Sequence, residues 1–444
     1  MGKYFGTDGF RAEANVGLTV EHAFKIGKFL GTSAASGKKA RIVIGKDTRL
    51  SSYMFEYALV AGLTAVGADA YLLHVTTTPS VSYVTRSEGF DGGIMISASH
   101  NPYTDNGIKL INRQGEKMSD EVTDKIEKYL DSPDDIPLAT GERIGRTVDY
   151  VLGRNRYTGY IISLARHSYK GLHVGLDAAN GSAWMLAKSV FDALGARTYV
   201  IGNDPDGTNI NLGCGSTHIE TLCELVRRER LDIGFAFDGD ADRCLAVDEH
   251  GEVISGEGIL YAAAKYLRSR GALHADTVVT TVMSNLGLSD ALKREGIRCI
   301  STDVGDRFVW EAMRDGGYSL GGEESGHIIF SNHATTGDGL ITAIKIMEIL
   351  IESKRPASHL CEGLDMYPQL TKSVRVCDKT ASISNQQVQN AYKNAEKTLH
   401  GVGRILLRPS GTEPVVRVMA EHPDEGICRA AVEGIAKAIA DSSK

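Results

Sequence analysis

Three times along this chain the same order of elements returns. A strand-length apolar run enters a polar loop, a helical stretch follows, a glycine stops it, and a second strand begins. In the first copy residues 42–45 lead into Lys46-Asp47-Thr48-Arg49, a helix uncharged but for Glu56 runs through Val66, Gly67 ends it, and 70–75 is the next strand. In the second, 173–176 meets Asp177-Ala178-Ala179-Asn180-Gly181, the helix reaches Leu194, Gly195 stops it, and 198–201 follows. In the third, 278–282 meets Met283-Ser284-Asn285, the helix ends near Glu295, Gly296 stops it, and 298–302 follows. Glycine suits the left-handed residue just past a helix end. Strands alternating with helices specify α/β units.

Each copy then offers a third strand with an unusual loop at its end. Residues 92–96 run into Ser97-Ala98-Ser99-His100-Asn101-Pro102, and 231–237 into Asp238-Gly239-Asp240-Ala241-Asp242-Arg243. Residues 317–320 lead to Gly321-Gly322-Glu323-Glu324-Ser325-Gly326-His327. In open α/β sheets ligands gather beyond the carboxyl ends of strands, so the three loops are the first candidates for a site. The tail differs: strand 373–376, amphipathic helix 386–399, strands 404–407 and 415–420, and a helix from about 423 read as a small β-α-β-β-α domain. The resulting boundaries are 1–152, 153–251, 252–366 and 367–444, one more domain than a prior of ~150 residues each suggests for 444 residues.

Composition excludes several classes. With 42% hydrophobic and 24% charged residues the chain is neither disordered nor a collagen. The net charge of −7 supplies no global basic field for nucleic acid. Seven cysteines, an odd number without a C-x-x-C pair, suit a reducing, cytoplasmic setting. Uncharged stretches such as 57–68 fall short of the ~20 apolar residues of a membrane helix, and the N-terminus lacks the apolar core of a signal peptide. No membrane partner is expected.

Asp238, Asp240 and Asp242 repel one another unless a cation neutralises them, and hard oxygen ligands suit Mg²⁺ or Ca²⁺. An EF-hand is excluded: Arg243 stands where that loop requires glycine, and strands flank it. Mg²⁺ is favoured because it works through few carboxylates plus a phosphate. The 97–102 loop lacks a nucleophile elbow, so Ser99 is not read as a hydrolase serine. Lys109 lies on the strand that follows. Arg408, Ser410, Gly411, Thr412 and Arg417 offer two guanidinium forks, two hydroxyls and an approachable backbone, the parts of a phosphate cradle without a Walker motif. Glu323 and Ser325 suit sugar hydroxyls, His327 titrates near neutrality, and Arg307 adds a cation on the same unit. A metal cluster, a candidate nucleophile, a phosphate cradle and a polyol clamp together point to phosphoryl transfer on a phosphosugar.

Four motifs in series, 97–102, 238–243, 322–327 and 408–414, resemble those of the α-D-phosphohexomutases, and the resemblance covers essentially the whole chain. It is nearest the bacterial branch that acts on glucosamine phosphates, through Phe5-Gly6-Thr7-Asp8-Gly9, Asn211-Leu212-Gly213-Cys214-Gly215-Ser216-Thr217-His218, Thr335-Thr336-Gly337-Asp338-Gly339 and 415–421. The resemblance implies four domains around one cleft: three similar α/β units with mixed sheets and a C-terminal α+β domain of the TATA-binding-protein-like type. It implies that Ser99 carries a phosphate, with Mg²⁺ between it and the three aspartates. The phosphate passes to glucosamine 6-phosphate, the 1,6-bisphosphate turns over, and glucosamine 1-phosphate leaves toward UDP-N-acetylglucosamine and the cell wall. Arg11, His100, Lys109 and Arg243 are the implied counter-charges. Lys109 is the first candidate for general acid/base, provided neighbouring cations lower its pKa, and His327 the second. Arg408, Ser410, Thr412 and Arg417 would hold the phosphate that is not transferring. A homodimer is implied by the resemblance alone. Three positions depart from the usual pattern: Glu324 where Gln is common, as in the phosphomannomutase branch, Ala241 where Gly is usual, and Phe10-Arg11-Ala12-Glu13 in place of a more glycine-containing turn. Mannose and glucose phosphates are therefore the alternative substrates, and a catalytically silent sugar-phosphate-binding paralogue the alternative outside catalysis.

Overall fold

The structure is a computed structural model that describes residues 2–32, 38–133, 135–399, 401–409 and 415–442. They form two compact units, one of residues 1–283 and 297–362, the other of 284–296 and 363–444.

The first unit contains three mixed sheets with one shared plan. In the first, Arg41–Lys46 lies between Asp69–Val75 and Gly92–Ile96, parallel to both, and Gly92–Ile96 pairs antiparallel with Asp105–Ile111. In the second, His173–Asp177 lies parallel between Arg197–Ile201 and Ile233–Phe237, and Ile233–Phe237 turns back antiparallel as Cys244–Asp248. In the third, Thr277–Thr281 lies parallel between Arg298–Thr302 and Leu320–Gly322, which pairs antiparallel with Ile328–Phe330. The first sheet adds Phe5–Gly6, Gly9–Glu13 and Thr147–Asp149 to reach seven strands; the second adds Val253–Ile254 to reach five. The repeat is real at the level of pairing.

The three stop glycines stand where the sequence placed them, each left-handed: Gly67 at φ 97°, Gly195 at 95° and Gly296 at 69°. Parallel strands also need a crossover between the second and third strand of each copy, an element absent from the repeat as read in sequence. Helices Thr78–Ser87, Glu220–Glu229 and Asp306–Gly316 supply it. The last of these corrects one strand. Gly317 is the left-handed cap of Asp306–Gly316, so the strand expected over 317–320 is Leu320–Gly322, and its loop begins at Glu323 rather than Gly321.

The helix Leu50–Ala65 carries one charged residue, the buried Glu56 paired with Lys46, and its apolar character has a physical reason. Phe55, Leu59 and Leu63 are fully buried, and the helix crosses Val20–Gly31 closely enough that a Cβ on Gly62 would lie 2.1 Å from Phe24 O and one on Gly27 2.4 Å from Leu59 O. No described helix is long and apolar enough to cross a membrane.

The second unit is an antiparallel sheet in which Val415–Glu421 lies between Gln369–Arg375 and Arg404–Pro409. Helices Gln386–Thr398 and Glu425–Ser442 bury Val388, Cys428, Ile435 and Ile439 against Val416 and Val418. A short helix, Lys379–Ser384, was not foreseen. Nor was the membership of Leu286–Arg294, a helix of the third repeat. Leu286 N donates to Glu421 Oε1 at 2.9 Å and Asn285 Nδ2 to Tyr367 O at 2.9 Å.

Candidate functional site

In the first unit the three hairpin loops meet. Ser99 is buried, at φ 51°, and its hydroxyl donates to Asp238 Oδ2 at 2.5 Å. One ligand oxygen from each of Asp238, Asp240 and Asp242 lies within 4.8 Å of the others, all three side chains being buried. Asp240 Oδ1 and Asp242 Oδ1 are buried without a hydrogen-bond partner. Burial and the charges of Asp242 and Asp240 push the Asp238 carboxyl well above the usual range. Three crowded carboxylates, two with an unpartnered oxygen and one driven toward neutrality, are a donor set that fits a hard divalent cation. Thr78, missed in the sequence, holds Asp240 through its hydroxyl, and its N–H donates to Asp240 O at 3.0 Å.

Lys109 comes from the strand after the Ser99 loop. Its ammonium reaches Asp240 Oδ2 at 2.7 Å, Asp8 Oδ2 at 3.0 Å and Asp242 Oδ2 at 3.3 Å. Burial works to lower its pKa, but Asp240, Asp8 and Asp242 outweigh that and hold it well above the ordinary lysine value. Arg11 works in the expected direction, but the neighbours that dominate are carboxylates. Lys109 stands as a fully charged donor rather than a primed base. Asp8 in turn binds Arg11 and takes Lys117 Nζ at 2.5 Å, and Lys117 reaches Asp306 Oδ2 at 2.6 Å. Asp8 belongs to the 5–9 motif, but no role for it could be read from that motif alone. Nothing in the sequence singled out Lys117 or Asp306.

His327 is buried, with Nδ1 3.7 Å from Asp242 Oδ2 and Nε2 3.4 Å from Asp306 Oδ2. Burial favours the neutral ring, while Asp306 and Asp242 push its pKa up to about 9. The Gly337 N–H nevertheless donates to Nε2 at 2.9 Å, which requires a lone pair there. A ring that accepts at Nε2 carries its proton on Nδ1, toward Asp242.

His100 Nδ1 lies 3.4 Å from Ser99 Oγ, a hydrogen-bonding neighbour of that hydroxyl, and with Ser99 unphosphorylated burial, Arg243 and Arg11 push its pKa down to about 4. Arg11 and Arg243 each have a buried Nε without a hydrogen-bond partner. The Arg243 N–H donates to Asp238 Oδ1 at 3.2 Å. Ala241, tolerable in place of glycine only if its backbone avoids the left-handed region, sits in that region at φ 55°.

The remaining expected residues divide. Glu323 is half-buried, burial raising its carboxyl pKa, and Ser325 Oγ is buried and unpartnered, while Glu324 is exposed. Arg307 is engaged by Asp120 and by Glu311 Oε1 at 2.8 Å, and lines a cleft of about 380 Å³ with Thr7, Asp8, Lys109 and Lys117. In the second unit Arg408 and Arg417 stand directly opposite each other on neighbouring strands. Ser410, Gly411 and Thr412 lie outside the described residues.

Comparison with known proteins gives this arrangement a family. Residues 2–136, 155–251, 255–367 and 373–442 match domains I, II and III (alpha/beta/alpha) and the C-terminal domain of phosphoglucomutase/phosphomannomutase. The chain belongs to that family. It is 62% identical over 439 residues to a phosphoglucosamine mutase of Lachnospira eligens, covering 98% of each chain. Its fold matches a Burkholderia thailandensis phosphoglucomutase/phosphomannomutase family protein with TM-score 0.82 at 24% identity, over 100% of this chain and 98% of that one. It also matches an Aspergillus fumigatus N-acetylphosphoglucosamine mutase in complex with GlcNAc-6P and magnesium, with TM-score 0.69 at 17% identity, over 99% and 96%.

Proposed function

We propose that this chain is a phosphoglucosamine mutase. It interconverts glucosamine 6-phosphate and glucosamine 1-phosphate through a phosphoserine at Ser99 and a 1,6-bisphosphate, feeding UDP-N-acetylglucosamine and cell-wall synthesis. The observation that carries the reading is the Ser99 hydroxyl held against Asp238 at the mouth of three convergent carboxylates. The near-full-length relative of the same name supports the amino-sugar substrate.

Asp238, Asp240 and Asp242, with Ser99, are the residues that would hold Mg²⁺; when bound it offsets negative charge on the transferring group. Arg11 and Arg243 supply fixed positive charge beside Ser99. Lys109 and His327, which share Asp242, divide the acid/base work: the His327 ring takes the proton that the sugar hydroxyl gives up as it accepts the phosphoryl group, and the Lys109 ammonium donates to the sugar oxygen that loses one. Glu323 and Ser325 orient ring hydroxyls. Arg408 and Arg417, with Ser410, Gly411 and Thr412, grip the other phosphate. A mutase needs such a grip at either end of the sugar, because the bisphosphate must be used in two orientations. Arg307 borders the substrate cleft.

The domain boundaries 1–152, 153–251, 252–366 and 367–444 belong to the same proposal. So does a cytoplasmic setting, supported by seven cysteines that form no disulfide. A homodimer is supported by Leu50, Tyr53 and Tyr57, exposed along one side of helix Leu50–Ala65. Light scattering on the purified protein reads that directly. For the activity, turnover of glucosamine 6-phosphate, mannose 1-phosphate and glucose 1-phosphate is compared with Mg²⁺ and a trace of hexose 1,6-bisphosphate. The glucosamine substrate gives the highest kcat/KM; a neutral sugar in first place moves the chain to the phosphomannomutase/phosphoglucomutase reading.

A further inference from the structure

Arg49 is fully buried, yet it contacts no metal carboxylate and no candidate substrate group. Its guanidinium is spent on main-chain carbonyls. Nη2 donates to Ser99 O at 3.1 Å and to Asn101 O at 2.6 Å, and Nε to Asp105 O at 2.9 Å. Nη1 is fixed by Asp47 Oδ2 at 2.8 Å, and Asp47 Oδ1 accepts from Ser52 Oγ at 2.7 Å. The same two carbonyls take a second donor from the neighbouring repeat: Asn211 Nδ2 reaches Ser99 O at 2.9 Å and Asn101 O at 3.2 Å. Asn211 is itself anchored, its N–H donating to Ala179 O at 2.9 Å. The approach is so close that a Cβ on Gly239 would lie 2.4 Å from Ser99 O.

Ser99 needs such a hold. It is not glycine, and its φ of 51° is a conformation an isolated serine avoids. Released, the 97–102 turn would relax and carry the hydroxyl off Asp238. We propose that Arg49 and Asn211 are positioning residues that clamp the left-handed main chain at Ser99 and so aim its hydroxyl at the transferring phosphate. The inference rests on the phosphoserine reading of the site. In the step served, Ser99 Oγ bonds to phosphorus as the bond from phosphorus to the sugar oxygen breaks, and the serine proton ends on that oxygen.

The test uses the full-length enzyme with Mg²⁺. Arg49→Lys keeps a charge beside Asp47 but cannot span the carbonyls with a planar fork, and Asn211→Asp keeps the shape and tolerates the left-handed backbone at φ 59° while removing the Nδ2 donor. Phosphate loading onto Ser99 from glucose 1,6-bisphosphate is followed by intact mass. In both folded variants loading and kcat fall about 10- to 100-fold while KM for the sugar phosphate stays within about threefold. Asn211→Gln, which restores the amide, recovers part of the rate. Hydrogen exchange rises in the peptide around Ser99 and not across the sheets. Loading at the wild-type rate, or a rise in KM without a fall in kcat, overturns the clamp alone. A wild-type protein that never takes phosphate on Ser99 overturns the mutase reading, and the clamp's role in transfer with it.

Discussion

The first and second hairpin loops of the large unit are topological equivalents, but they solve different problems. Both follow the third strand of a repeat and precede an antiparallel strand, and both turn on a left-handed residue that is not glycine, Ser99 at φ 51° and Ala241 at φ 55°. The first loop presents one hydroxyl and is held from outside, its carbonyls taken by Arg49 and Asn211. The second presents three carboxylates and is held by main-chain donors instead, Thr78 N reaching Asp240 O at 3.0 Å, Ser182 N reaching Gly239 O at 2.8 Å and Gly339 N reaching Ala241 O at 3.0 Å, beside an internal bond from Ala241 N to Asp238 O at 3.0 Å. The third equivalent loop uses a true glycine, Gly326 at φ 87°. Strain is accepted in the two loops whose side chains must be aimed closely, and avoided in the third.

The sharpest way to break the comparison is to remove the group the first loop exists to present. Ser99→Ala keeps the fold and lowers mutase turnover by at least about 1,000-fold, with no phosphate on the intact protein. Turnover near the wild-type level would mean that the hydroxyl on Asp238 is incidental. The second loop is disabled instead by chelation. Stripping divalent cations lowers turnover by about 100-fold or more, and Mg²⁺ restores it, while phosphate already on Ser99 remains visible by mass. Equal loss of both signals would deny the loops their separate roles.

The sequence displayed these two loops unevenly. The aspartate triplet was legible because alternating acids on a strand-ending loop repel one another until a cation sits among them. The stop glycines were legible because a left-handed helix end demands them. The clamp was not, since Arg49 and Asn211 act on carbonyls, which every residue owns, so no side-chain pattern marks their targets. Asp8, Lys117 and Asp306 were hidden for a related reason: their charges balance only after three distant segments meet. His100 and Lys109 were named correctly as neighbours of Ser99, but their charge states depend on which ions surround them, and spacing carries no such information. The strand at 317–320 slipped because Gly317 was read as strand when it caps the crossover helix.

The join between the second and third loops offers a smaller, pH-resolved effect. Asp338 caps helix Gly339–Ser353 by accepting from Ile341 N at 3.0 Å, and its other oxygen takes the Tyr157 hydroxyl at 2.8 Å. Burial pushes its pKa up to about 6. The folded state thus holds this proton more tightly than the unfolded chain, so stability declines as pH rises from the usual aspartate range through about 6. Asp338→Asn keeps a cap oxygen and can donate to Tyr157 instead. Its expected gain is about 1 to 2 kcal/mol at pH 8 and nothing at pH 4, read as the difference in Tm between the two buffers. A gain of the same size at both pH values would mean that ionisation is not its source.

Ala241→Gly should produce the smallest change, and it tests the comparison itself. An L-residue in the left-handed region gives up about 1 to 2 kcal/mol that glycine does not. Against that, glycine costs about 0.5 to 1 kcal/mol of extra chain entropy on folding, and the buried methyl contributes about 0.8 kcal/mol through its contacts. The terms nearly cancel, so denaturant unfolding should shift by less than about 1 kcal/mol. Turnover should respond more than stability does. The strain that Ala241 carries narrows the positions open to Asp240 and Asp242 on either side, and a glycine there would let both wander. A variant with unchanged stability but a several-fold higher Mg²⁺ requirement is the expected result. Unchanged stability together with an unchanged Mg²⁺ requirement would show that the second loop owes its aim to Thr78 and Lys109 rather than to its own backbone.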